Sequence, residues 1–234
     1  MSATGRGTDR QKGDVYVTPP RLAESCVDWL VEKKLLRSDP KQRVVEPSAG
    51  VGVWCRAVKD VVECRLTAVE MEPRLKKDLH NSGADRIVIG DWLEQRPTHD
   101  VSTILGNPPY DEAEDHVRHA HKFLHVNGIL AYLLRLNFLG SQARWAGFWQ
   151  AYPPAYVVPI LPRPSFLLED LTPVLNKDGK QGSDATEYAL FVWRKANQAV
   201  YDKKHVLSEL EMRSPILWAE PGKRRKVRKQ WTIK

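Results

Sequence analysis

Cysteine is scarce in this 234-residue chain, and the three present, Cys26, Cys55 and Cys64, form no CxxC pair. An odd count without that pairing argues against a disulfide framework and suggests reduced thiols in a cytosolic setting. Long apolar runs are missing too. No stretch approaches the roughly 20 residues that cross a bilayer, and the N-terminal residues lack a secretory apolar segment, so we expect no membrane partner. The small-residue stretch Pro47-Ser48-Ala49-Gly50-Val51-Gly52 lacks the GK[ST] ending of a nucleotide phosphate loop and is preceded by a carboxylate, Glu46. Acidic residues run short only at one end. From Arg194 onward 12 Lys/Arg face 4 Asp/Glu, whereas residues 1–193 hold 24 against 25. The basicity belongs to the C-terminal tail.

What is present is organised around Asn107-Pro108-Pro109-Tyr110. These residues follow the apolar run Val101–Leu105 and Gly106, and they precede the acidic stretch Asp111–Asp115. The run reads as a buried strand and Asp111 begins a helical pattern, so the turn sits at a strand's C-terminal end. In open α/β sheets that edge binds ligands. An exocyclic amine on an aromatic ring is a poor nucleophile, because its lone pair is delocalised. The Asn107 side-chain oxygen and the Pro108 carbonyl can accept both N–H bonds and turn the lone pair out. Two prolines stiffen the turn, and Tyr110 offers a face for a planar group. A Pro-rich strand exit is the other reading of NPPY alone, and the rest of the chain decides.

Residues 1–13 are polar without apolar period and read as a mobile arm. Thr18 precedes Pro19-Pro20 as a candidate N-cap for a helix carrying Leu22, Cys26, Trp29, Leu30 and Leu35. Val44-Val45-Glu46 is a short strand running into the small-residue loop, with Gly50 and Gly52 allowing close backbone approach to a ligand. Glu46 suits a cationic amine. About 20 residues on, Leu66–Val69 ends at Glu70, where a carboxylate takes ribose hydroxyls. Glu72 competes, but Glu70 lies nearer the strand tip. A third strand, Ile87–Ile89, ends in Gly90-Asp91-Trp92, an acid for an adenine amine with an aromatic beside it. The helix expected over Glu112–Val126, ended by Gly128, carries His116, His119, His121 and His125. No companion Cys or carboxylate motif completes a ligand set, so no metal is expected. Further strands are expected at Ile129–Leu134, Ala155–Leu161 and Glu187–Trp193, with a Trp-rich helix (Trp145, Trp149) and a long loop at 162–183 between them.

The order TPP, EPSAG, VE, GDW, NPPY resembles S-adenosylmethionine-dependent N6-adenine amino-methyltransferases. GRGTDRQKGDVYVTPP and the PRPSF…SDATEYALFVWR pairing are similar, more narrowly, to the compact DNA adenine methyltransferases of phages and prophages. The resemblance implies an α/β, Rossmann-like class I methyltransferase: a seven-stranded, mostly parallel sheet with one antiparallel edge strand and helices on both faces. It implies a catalytic domain at 14–194 followed by a basic tail at 195–234, working in the cytoplasm of a bacterial or phage-infected cell. Thr18 and Glu46 would hold the methionine end of the cofactor. Gly50 and Gly52 would line its loop, Glu70 would bind the ribose, and Asp91 and Trp92 the adenine. Asn107 and Pro108 would polarise the target amine. Tyr110, Pro109 and Phe166 would hold the base, with Phe166 stacking on the face opposite Tyr110. Lys223, Arg224, Arg225 and Lys226 would meet DNA phosphates. NPPY also occurs in RNA-adenine and protein-glutamine methyltransferases, and a non-catalytic nucleic-acid-binding protein on the same fold is the alternative of another class.

Overall fold

The computed structural model describes residues 16–175, 179 and 186–195, with residues 217–218 as backbone. Its frame is one sheet. The strands are β1 (Arg43–Glu46), β2 (Arg65–Glu70), β3 (Arg86–Ile89), β4 (Val101–Gly106), β5 (Leu124–Arg135), β6 (Tyr156–Leu161), β7 (Tyr188–Arg194) and the two-residue β8 (Leu217–Trp218). Their order is β3-β2-β1-β4-β5-β7-β6-β8. The expected seven strands are present, mostly parallel, with β8 added at the β6 edge. The reversed strand is β7, and it lies between β5 and β6 near the β8 edge. A parallel return would need a crossover carrying the chain back to the other end of the sheet. The chain leaves β6 and enters β7 at the same end of the sheet, with Ile160 opposite Tyr188, so β7 runs down. The 162–187 connection therefore starts and ends at the edge where β4 also ends.

Period-two alternation divides the sheet between two cores. On one face Val44, Leu66, Ala131, Leu190 and Val192 pack with α1 (Pro20–Glu32), α2 (Val53–Lys59) and the short α3 (Lys76–Leu79). On the other, Val45, Ile104, Tyr132, Phe191 and Trp193 pack with α4 (Ala113–Phe123) and with Phe148 and Trp149 after α5 (Gln142–Gly147). Burial on both faces is why β4 and β5 read as continuous apolar runs.

Three local expectations change. Thr18 does not cap α1. Pro19 holds that position without a side-chain bond, and the Thr18 hydroxyl instead accepts from Trp54 Nε1 at 3.1 Å. The helix α4 ends at Phe123, not near Gly128, because the chain turns extended at Leu124 to pair with Val101. Asn127 N–H and Lys195 N–H then bond across to β7's end and to Gly128 respectively. The Trp-rich helix is shorter than its pattern, and Phe148 and Trp149 enter the core just beyond it. The arm at 1–13 and the basic run at 223–229 lie outside the described residues.

Candidate active site at the carboxyl edge of the sheet

The strands β1, β2 and β4 all end at one edge, and each ends next to a residue with chemistry. Glu46 closes β1 and is wholly buried. Its Oε1 accepts from Ser48 N–H at 3.0 Å, while Oε2 has no partner among the described atoms. Burial, and after it the nearby Glu70 charge, push its pKa up to about 8; the Ser48 bond opposes them. An unpaired carboxyl of this kind suits an incoming cation, which would ionise it.

Glu70 closes β2, also buried. Both its oxygens are engaged by backbone: Oε2 accepts from Gly50 N–H at 2.6 Å and Oε1 from Glu72 N–H at 2.8 Å. The acid thus shapes the loop after β1 as well as facing the edge. Glu72, the competing residue, pairs with Arg74 at 3.5 Å. Gly52 has φ +82°, and a Cβ there would overlap Ser82 Cβ. Its missing side chain makes room for Ser82, whereas Gly50 is the one bonded to the acid.

After β3, Asp91 Oδ1 accepts from Leu93 N–H at 2.7 Å and starts a single 3₁₀ turn at Trp92–Glu94. Trp92 is buried in the α4-side core, with Phe123 4.3 Å from its ring centre and His119 5.2 Å away edge-on. Its ring is packed against protein there. Burial lowers the His116 pKa to about 4 and lowers that of His119. Along α4 the histidines diverge: His116 lies near Tyr132, His119 near Trp92 and His121 near Tyr152. Among the described residues no group of three His, Cys, Asp or Glu could hold a metal, and no helix is long and apolar enough to cross a membrane.

After β4 comes the turn itself. The backbone of Gly106 has φ +152°, and a Cβ there would overlap Glu46 Oε1. Gly106 is therefore what lets the β1 carboxylate lie against the start of the turn. Asn107 is part-exposed, yet its Oδ1 is buried without a partner among the described residues. Pro108 is buried and Pro109 exposed. The Arg135 guanidinium lies 4.9 Å from the Tyr110 ring centre, and the Tyr188 ring is 5.6 Å away, tilted by 49°. Phe166 is buried against Tyr188 at 5.0 Å. Tyr188 is thus in contact with both Phe166 and Tyr110.

The described first part of the loop after β6 is tied to two other segments. Val17 and Leu167 exchange backbone bonds of 2.9 Å, and Arg74 forks onto Glu169, with Nη2 at 2.7 Å from Oε1. Sequence reasoning missed Arg74, Glu169 and Arg135. Their only signals were a charge in the long loop and an arginine after an apolar run, neither of which names a partner. A separate groove of about 710 Å³ lies over Val45, Val69 and Val88, where the β3–β4 link has no α-helix. Trp92 alone of the site residues borders it.

This fold is that of the class I, S-adenosylmethionine-dependent methyltransferases. Solved structures of that fold match the chain at low identity. A predicted O-methyltransferase from Agrobacterium tumefaciens is 17% identical, with TM-score 0.55, covering 86% of this chain and 89% of that one. A putative RNA methyltransferase from Pyrococcus horikoshii is 12% identical, with TM-score 0.61, covering 83% and 94%. A 23S rRNA methyltransferase is 16% identical, with TM-score 0.53, covering 77% and 70%. No family model and no curated protein matches the sequence.

Proposed function

We propose that the protein transfers a methyl group from S-adenosylmethionine to the exocyclic N6 amine of adenine in DNA. The observation that carries this reading is the buried, unpartnered Asn107 Oδ1 at the end of β4, beside a buried carboxylate that also lacks a cation. A buried acceptor without a donor is costly, and a donor from a ligand removes the cost. When bound, the cofactor supplies an electrophilic sulfonium methyl. Glu46 holds its ammonium, with Thr18 beside α2. Glu70 and the Gly50 loop take the ribose, and Asp91 takes the adenine amine.

Asn107 Oδ1 and the Pro108 carbonyl accept the two N–H bonds of the target amine. The lone pair would then leave the ring plane and could take the methyl, with the cofactor's sulfur leaving as a neutral thioether. Positioning and polarisation do most of the work. The nitrogen becomes acidic once methylated, so its extra proton passes to water and no strong base is needed. In duplex DNA the adenine must leave the stack, costing a few kcal/mol. Stacking worth about 1–3 kcal/mol per base offsets much of that, with Tyr110 as the platform. The basic run from Lys223 to Lys226 would add phosphate contacts.

The deciding experiment supplies labelled cofactor with DNA and with RNA and digests each product to nucleosides. Label in N6-methyladenine from DNA is expected. Label confined to RNA, the substrate class named for two of the structural neighbours, or to a glutamine-containing peptide, would replace the DNA reading.

Cofactor uptake is expected to expel a proton. A carboxyl raised to about 8 is mostly neutral at pH 7, and an ammonium set against it favours the ionised form. Binding at pH 7 therefore releases close to one proton, and affinity rises towards about tenfold per pH unit between 6 and 7.5. Calorimetry in buffers of different ionisation enthalpy reads the proton directly. Glu46→Gln abolishes the release and weakens binding. Equal heats in all buffers would remove Glu46 from the cofactor's cationic end.

A further inference from the structure

Beside the turn after β4 lies a small cavity of about 90 Å³, lined by Tyr110, Asp111, Arg135, Asn137, Phe138 and Arg144 among others. The methyl-transfer chemistry uses only Tyr110 of these. Register explains how the two arginines come to be there. Gly106 pairs with Tyr132, so Asn107 and Arg135 leave the sheet on adjacent strands at the same edge. The Leu136–Gly140 turn and the cap of α5, where Ser141 Oγ accepts from Arg144 N–H, then bring Arg144 back over Phe138, 4.6 Å from its ring centre.

Each guanidinium is held by one side and left open on another. The Arg135 group lies on the Tyr110 ring, and its buried Nε has no hydrogen-bond partner among the described residues. A guanidinium resting on an aromatic face presents its N–H groups sideways, in its own plane. Arg144 donates Nε–H to the Phe138 carbonyl at 2.9 Å, which fixes its plane and leaves its terminal nitrogens for a ligand. Asp111 contributes one carboxylate to the same cavity. It is exposed, and two fixed cations outnumber it. Leu139 and Trp145, each next in sequence to a lining residue, are 41% and 48% exposed. Paired guanidinia with an exposed indole beside them are the elements that track a polynucleotide strand.

We propose that Arg135 and Arg144 form an anion site for a backbone phosphate flanking the target nucleotide. The substrate would then be a nucleotide within a strand, held by its phosphate on one side of Tyr110 while its base lies at Asn107. This rests on the reading of the edge as a nucleic-acid methyl-transfer site. It adds a contact that carries no base information and sets the strand's register in the cleft.

The test uses the full chain and oligonucleotides in which one phosphate at a time is replaced by neutral methylphosphonate. With the wild-type protein, neutralising one phosphate next to the target raises KM about tenfold. Arg135→Gln raises KM on the unmodified strand by a similar factor, flattens its salt dependence, and makes the protein insensitive to that one replacement. Arg144→Gln behaves alike. Melting temperature and cofactor affinity check folding, and Arg135→Lys, which keeps charge without the fork, shows a partial phosphate penalty should the Gln variant not fold. If Arg135 only braces Tyr110, its loss lowers turnover on all strands equally and the phosphate penalty persists. That result overturns the anion site and leaves methyl transfer to nucleic acid standing. If the wild type labels a glutamine peptide and no nucleic acid, the underlying reading falls with it.

Discussion

Asn107→Ala lowers methyl transfer by a factor on the order of 10³, the upper part of the range for removing one preorganised hydrogen-bonding group from a reacting centre. The alanine cannot accept an N–H of the target amine, so the lone pair stays delocalised and the other acceptor, the Pro108 carbonyl, holds the amine alone. Cofactor affinity stays close to that of the wild type, because the cofactor's proposed contacts are on β1, β2 and β3. Stability distinguishes this from damage to the fold. In the free protein the Asn107 oxygen is buried and bonded to nothing described, so its removal leaves the melting temperature unchanged or slightly higher. Lost activity with a clearly lower melting temperature would make Asn107 a structural residue. Full activity would sink the mechanism.

Gly106→Ala is expected to damage stability and cofactor binding together. The new methyl would overlap Glu46 Oε1 and come within 2.5 Å of Oε2. It would also sit on a backbone with φ +152°, which L side chains rarely adopt. Glu46 cannot swing clear: it is fully buried, and Ser48 N–H holds one oxygen. Overpacking costs about 1–3 kcal/mol, and strained backbone about as much again. Denaturant unfolding should therefore show a loss of about 2–6 kcal/mol, and cofactor affinity should fall more than tenfold as the carboxylate is displaced. Combining the change with Glu46→Ala removes the obstructing oxygens. The double variant should regain part of the lost stability and none of the binding. Wild-type stability and affinity in Gly106→Ala alone would show that the carboxylate does not need to lie against this residue.

Much of the architecture could be read from the chain. Apolar runs of four to six residues separated by helical patterns specify a doubly covered parallel sheet, because burial on both faces leaves no polar alternation. The acids at positions 46, 70 and 91 could be placed at strand ends for the same reason: an apolar run stops where its strand leaves the core. The turn after β4 was legible because its residue types have few other combined uses. Element ends were less legible. The α4 pattern continues to Val126, yet Leu124 leaves the helix, since pairing with Val101 and the bonds around Lys195 come from strands distant in sequence.

Adjacent residues specify seven of the eight strands, the acids at their tips and the Asn-Pro-Pro-Tyr turn. Tertiary structure alone decided what those residues face. It turned Trp92 into the core against Phe123, drew Phe166 onto Tyr188, and set Gly106 against a carboxylate 60 residues earlier. It also laid Arg135 on Tyr110 from the neighbouring strand. Such contacts depend on register and on which side of a strand a residue emerges. A shift of one residue reverses every side chain, so propensity and pattern, which act locally, cannot encode them.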